Sequence, residues 1–314
     1  MLVSVVVPAF NRAAFVERTL GSVLAQTHRP IELLVVDNGS TDGTPALCRR
    51  FASEHSSPEF QIKVLSEARR GASAARNCGL RAASGRYISF FDSDDIMSPT
   101  FLADAAAAFA LHPEARVVAG ATEIVAGNVR RRRVFPYSAD AMVQILAGHI
   151  STQSFVADTE FVRSIGGWNE DVMRWNDWEL GIRLLLARPA VVWLRGKAYH
   201  SVFAHAESIT GTGFAASLPL LLQALDAARN DVGAGAAKLL RAIDFRESIL
   251  LGWIDRELRL ASEGEDCSAA LAVKTLAASR EGRLQSFACR FLRRYTSAGG
   301  RGAWRLALLL ARLF

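Results

Sequence analysis

The run Leu2-Val-Ser-Val-Val-Val-Pro8 is nearly continuous in apolar, mostly β-branched residues. It offers no polar face to leave in water, so it predicts a strand covered on both sides, as in a parallel sheet. Apolar spacing over residues 14–25 fits a helix, and residues 31–36 repeat the strand pattern. A turn dense in Asp, Asn, Gly and Ser then leads to a helix over 44–52, with Asp42 placed to cap it. A strand over 62–65, a helix over 73–82 and a strand over 87–91 continue the alternation. This spacing predicts βαβ units with right-handed crossovers. Functional loops of such sheets lie beyond the carboxyl ends of the strands. Residues 9–12, 37–42 and 92–95 therefore converge on one rim, and all three loops are polar.

Further along, a helix is predicted over 101–111, and a hairpin over 121–135 turns at Gly127-Asn128. A helix over 177–186 and a strand over 191–194 follow. Beyond about residue 215 only Ala- and Leu-rich helical patterns remain, which divides the chain into an α/β domain over 1–215 and a helical region over 216–314. With 314 residues, half of them hydrophobic, both parts can bury a core. The four cysteines have neither zinc-ligand nor disulfide-framework spacing. Residues 2–7 are too short for a signal peptide, and no stretch reaches the roughly 18 apolar residues of a membrane span. The expected location is the cytoplasm or the inner face of the cell membrane.

Phe90-Phe-Asp-Ser-Asp-Asp-Ile-Met-Ser-Pro99 sets three carboxylates within four residues at a predicted strand end. Gathering that much like charge is costly, and a cation relieves it. Hard ions such as Mg²⁺ or Mn²⁺ take oxygen ligands and bridge carboxylates to substrate phosphates. The competing reading is a solvated acidic turn that caps the next helix.

Four stretches carry a resemblance: Val3-Ser-Val-Val-Val-Pro-Ala-Phe-Asn11, Val35-Val-Asp-Asn-Gly-Ser-Thr-Asp-Gly-Thr44, Gly71-Ala-Ser-Ala-Ala-Arg-Asn-Cys-Gly79 and Tyr87-Ile-Ser-Phe-Phe-Asp-Ser-Asp-Asp95. In this order they resemble the inverting glycosyltransferases of family 2, with weaker similarity through Asn176-Asp-Trp-Glu179 and His205-Ala-Glu-Ser208. The resemblance implies a GT-A fold, Rossmann-like, with the helical region as a C-terminal appendage. It implies a metal-dependent transfer of sugar from a nucleotide-diphosphate donor, with a UDP-sugar the expected one, to a glycan, lipid-linked or small-molecule acceptor in cell-surface polysaccharide synthesis. Pro8, Ala9 and Asn11 then lie under the nucleoside, Asp37 and Asn38 at the base, and Arg76, Asp92 and Ser93 along the nucleotide sugar. Asp94, with Asp92 and His205, is implied as the ligand set for Mn²⁺ or Mg²⁺, and Asp177 as the general base. Asn38 departs from the common pattern, which has a second aspartate there; an amide has donors as well as an acceptor, so the base is left open. Trp168, Trp175 and Trp178 are core or an acceptor platform; core is the preferred reading for Trp168 and Trp178, and the two are balanced for Trp175.

The last segment is basic, with Arg301, Arg305 and Arg312 on one predicted helix face and Leu306, Leu310, Leu313 and Phe314 on the other. Two readings stand: a peripheral helix on an anionic membrane, or a helix docked on this domain or on a second copy in a homodimer. Nucleic acid is not expected, because no recognised module accompanies the net charge of +6. The rival functions are a non-catalytic nucleotide-sugar-binding module at a membrane and a nucleotidyltransferase. The second lacks the glycine-rich phosphate loop after the first strand.

Overall fold

The structure, a computed structural model, describes residues 1–133, 135–203, 213–260, 267–280, 282 and 284–313. It divides into two compact units. One comprises Met1–Tyr137, His149–Leu180 and Ala187–Ala204; the other comprises Ser138–Gly148, Gly181–Leu186 and His205–Phe314.

In the first unit, β1 (Val3–Ala9) is buried at every position, as its composition requires. It pairs in parallel with β2 (Ile31–Asp37) on one side and β4 (Tyr87–Phe90) on the other, and β3 (Phe60–Ser66) extends the sheet beyond β2. The crossovers are α1 (Val16–Leu24), α2 (Thr44–His55) and α3 (Ala72–Ala82). Helix α3 lies so close to β1 that a Cβ on Gly79 would stand 2.3 Å from Val6 Cγ1. The N-cap of α2 is Gly43, not the expected Asp42; Asp42 accepts from Thr44 N at 3.0 Å and from Ala13 N at 3.1 Å, which ties two rim loops together.

Past β4 the sheet departs from the parallel βαβ expectation. β5 (Ile96–Met97) and α4 (Phe101–Leu111) lead into β6 (Ala115–Ala126), which turns into β7 (Val129–Arg132) at the predicted Gly127-Asn128. β8 (Phe155–Asp158) runs antiparallel to both β4 and β6, and β9 (Ala190–Phe203) runs parallel to β6. The order is β3-β2-β1-β4-β8-β6-β9-β5, a mixed sheet. The residues between β7 and β8 carry α5 (Ala141–Ala147), and α6 (Thr159–Ser164) follows β8. Helix α7 (Asn176–Leu186) precedes β9.

The second unit is built on α9 (Ala237–Leu260), with α8 (Leu218–Val232), α10 (Cys267–Ser279), α11 (Phe287–Ser297) and α12 (Ala303–Leu313). Glu247 on α9 is fully buried and accepts from Arg229 at 2.7 Å and Arg280 at 2.8 Å. Helix α12 buries the stripe Ala303, Ala307 and Ala311, with Leu306 and Leu310 half-buried beside it. Arg305 and Arg312 are exposed, as is Arg301 ahead of the helix, and Leu313 of the expected leucine face is exposed as well. Phe314 lies outside the described residues.

Candidate active site

The three rim loops meet through hydrogen bonds at the carboxyl ends of β1, β2 and β4. Asn11, in the left-handed region at φ +51, donates its backbone N–H to Ser40 Oγ and accepts from Thr41 N at 2.8 Å. Asparagine tolerates this conformation better than most side chains. Arg12 Nε lies 3.4 Å from Asp94 Oδ2, and Arg18 Nη2 donates to the Asp94 carbonyl at 2.6 Å. Pro8 and Ala9 are buried in β1, so they shape the loop from beneath rather than offering side chains. Asp37 accepts from Ser40 N, which fixes its turn.

Asn38, expected at the base, holds a neighbouring loop with its side chain. Its amide donates to the carbonyls of Glu67 and Arg69, at 2.9 and 2.7 Å, and accepts from Gly71 N at 2.8 Å. Both amide N–H groups are spent on holding the 67–71 loop, and the residue is only 5% exposed. Beside it, Phe10 is solvent-exposed with the Arg70 guanidinium 4.6 Å above its ring.

Arg76 is the most constrained group in the cleft. It is 5% exposed, its guanidinium lies 4.3 Å from the Trp168 ring centroid, and Nη2 donates to Asp92 Oδ1 at 2.7 Å. Its Nε and Nη1 are buried and have no hydrogen-bond partner. Leaving donors of a buried cation unmet is expensive, so this geometry invites an anion.

Gln153, just before β8, joins the acidic loop from below. Its amide donates to Asp92 Oδ2 at 3.0 Å and also to Asp95. Asp95 is buried, accepts from Phe203 N at 2.8 Å, and is pushed up to about 7 by burial and by the neighbouring Asp92. Ser93 is buried between these carboxylates in sequence. The amide nitrogen has two N–H groups, one for each carboxylate, while the other oxygen of Asp92 accepts from Arg76.

Asp177 stands in the first turn of α7, following Trp175 at φ +56. Burial raises its carboxyl pKa, Asp92 adds to the rise, and Arg133 and Arg76 oppose it. These influences place Asp177 within electrostatic reach of the Arg76–Asp92 pair. Trp168 and Trp178 are core residues, whereas Trp175 is half-exposed. His205 lies outside the described residues.

The ligand set suits a hard divalent ion. Asp92 and Asp94 offer carboxylate oxygens with 33% and 17% side-chain exposure. Among the described residues no group of three or more His, Cys, Asp or Glu could hold a metal alone.

A model described as "Glycosyl transferase family 2" matches residues 4–162, just over half of the chain. The chain belongs to glycosyl transferase family 2. Within the family it is 40% identical over 97 residues to the uncharacterized glycosyltransferase EpsJ of Bacillus subtilis, covering 31% of this chain and 27% of that protein. It is 42% identical over 94 residues to the putative teichuronic acid biosynthesis glycosyltransferase TuaG of the same organism, covering 30% and 36%. Matches to the curated relatives span only 13% to 36% of those proteins' lengths. The fold resembles S. aureus TarS 1-349, with a TM-score of 0.64 at 18% identity, covering 100% of this chain and 92% of that one. It also resembles the mannosyltransferase PcManGT of Pyrobaculum calidifontis, solved with GDP-Man and Mn²⁺, with a TM-score of 0.58 at 20% identity, covering 99% and 87%. The chain thus joins membership of family 2 to a GT-A fold with C-terminal helices.

Gln153, Arg133, Phe10 and Arg12 were not singled out by the sequence reading of the site. Arg12 and Phe10 flank Asn11 in the first motif and could have been found there. Gln153 sits before a four-residue strand with no periodic signal, and no pattern marks it.

Proposed function

We propose that this enzyme is a metal-dependent, inverting transferase that takes a sugar from a nucleotide-diphosphate donor, a UDP-sugar by preference. The acceptor would be a glycan, lipid-linked or small-molecule hydroxyl in cell-surface polysaccharide synthesis. The observation that carries the reading is the buried Arg76 guanidinium, with two unpartnered nitrogens beside Asp92 on the rim. TarS has also been solved with UDP-GlcNAc, which supports the choice of a uridine donor.

In this reading Asp177 takes the proton of the acceptor hydroxyl as its oxygen attacks the anomeric carbon. The glycosidic bond to the diphosphate breaks, and its electron pair passes to the leaving phosphate oxygen. Arg76 meets that growing negative charge in a site poor in water, where a fixed cation is worth most. A raised carboxyl pKa makes Asp177 the stronger base. Asp94 and Asp92 would hold the divalent ion, which supplies Lewis-acid stabilisation of the diphosphate. His205 would complete its coordination. Peripheral membrane contact through the C-terminal helices belongs to the same reading.

Calorimetric titration of UDP and GDP with and without Mn²⁺ tests the donor site. UDP is expected to bind, and to bind more tightly with Mn²⁺. Arg76→Met should weaken binding by about tenfold to a hundredfold, the usual worth of a charge-assisted bond, and Asp94→Asn should remove the Mn²⁺ dependence. If neither nucleotide binds the folded wild-type protein, the proposal fails.

A further inference from the structure

Helices α11 and α12 each bury one side in the second unit and present an unusual residue set to solvent. On α11 the buried side is Ala288, Cys289, Leu292 and Thr296, and the exposed residues are Phe287, Arg290, Phe291 and Arg294. Phe287 is 78% exposed and Phe291 41%, and their rings stack with centroids 6.3 Å apart. On α12 the exposed residues are Arg305, Leu309, Arg312 and Leu313. Each outer face is therefore two large apolar side chains and two arginines, with no acid. From residue 282 to residue 314 the sequence contains no Asp or Glu at all. Helix α9 adds positive charge at the turn between the two helices: Arg259 donates to the Ser297 carbonyl, and the Arg256 guanidinium lies beside Gly299.

Exposed aromatic and leucine side chains are unfavourable in water, and arginines close beside them repel one another. Both costs are relieved by one occupant, an anionic lipid surface, where apolar tips enter the interface and guanidinium groups meet headgroup phosphates. A protein partner would need a complementary acidic and apolar patch, whereas a bilayer containing anionic lipid supplies both properties everywhere. No helix among the described residues is long and apolar enough to cross a membrane. The contact is therefore at the surface. We infer that the outer faces of α11 and α12 form a docking surface for an anionic lipid bilayer, with Phe287 and Phe291 as its inserted anchors. This deepens the membrane contact of the proposed function, but it rests on the second unit alone and stands apart from the chemistry of the cleft.

Co-sedimentation of the full chain with phosphatidylcholine vesicles, with and without phosphatidylglycerol, tests it. Binding is expected only where phosphatidylglycerol is present, and it should weaken as salt rises. The double variant Arg290→Glu/Arg294→Glu should lower partitioning by roughly tenfold or more, and Phe287→Ser/Phe291→Ser should lower it while leaving UDP affinity and the circular dichroism spectrum unchanged. No binding to anionic vesicles by the wild-type chain overturns the inference. So does binding that both variants retain, or a self-associated form in ultracentrifugation that the phenylalanine variant abolishes without any lipid binding.

Discussion

His200 is a buried imidazole on β9, with Met97 opposite it on the neighbouring strand and the rings of Phe91 and Phe101 against it at 5.3 and 4.3 Å. Neither ring nitrogen has a partner, and burial lowers its pKa to about 3 from an ordinary 6.5. Above pH 6.5 the ring is neutral in both folded and unfolded chains, so it costs nothing further. Between 6.5 and about 3 only the unfolded chain takes up the proton, so stability falls as pH falls through that window and levels off below it. The loss is on the order of 5 kcal/mol at most. Urea unfolding at a series of pH values should show this slope, and His200→Met should flatten it. At this same scale the acidic loop, Arg76 and Asp177 were legible because each sits in a short motif. Asn38 shows what the motif does not tell: its amide bonds three backbone groups of the 67–71 loop. Gln153 was silent because one glutamine near a short strand has no pattern to betray that it bridges two carboxylates.

Among the elements, those buried on both faces declared themselves. β1 and β2 are apolar runs broken only by the buried Ser4 in one and by the buried Glu32 and the terminal Asp37 in the other, and α1 keeps a clear period. β5 has two residues and β8 four, too few for any periodicity, and β9 is interrupted by register shifts against β6. The antiparallel half of the sheet was therefore hidden, apart from the hairpin that turns at Gly127-Asn128. The close approach of α3 to β1 is equally invisible until Gly79 is seen against Val6. Gly79→Ala would drive a Cβ into two methyl groups at 2.3 and 2.8 Å and should cost about 1–3 kcal/mol. Chemical denaturation should show this loss, with Val6→Ala in the same chain recovering part of it. An unchanged midpoint in Gly79→Ala would mean that the two elements are not so tightly packed.

For the whole molecule, the two units are interleaved along the chain. Ser138–Gly148 and Gly181–Leu186 join the helical unit although strands of the first unit follow each of them. Composition changes once, near residue 215, whereas the packing changes hands several times, so the sequence carries the composition but not the exchange. The first unit holds the rim loops, Arg76 and Asp177, and the central claim is that they form a site that transfers sugar with inversion using Asp177 as the base. The direct measurement is NMR of the sugar released from UDP-sugars in the presence of Mn²⁺, with water as the acceptor, for the wild-type enzyme and Asp177→Asn. The account predicts that the first sugar to appear has the anomeric configuration opposite to that of the donor. It also predicts that Asp177→Asn slows release by about 10²–10⁴-fold while UDP affinity is kept. Release with the donor's own configuration, or an undiminished rate in Asp177→Asn, would contradict it.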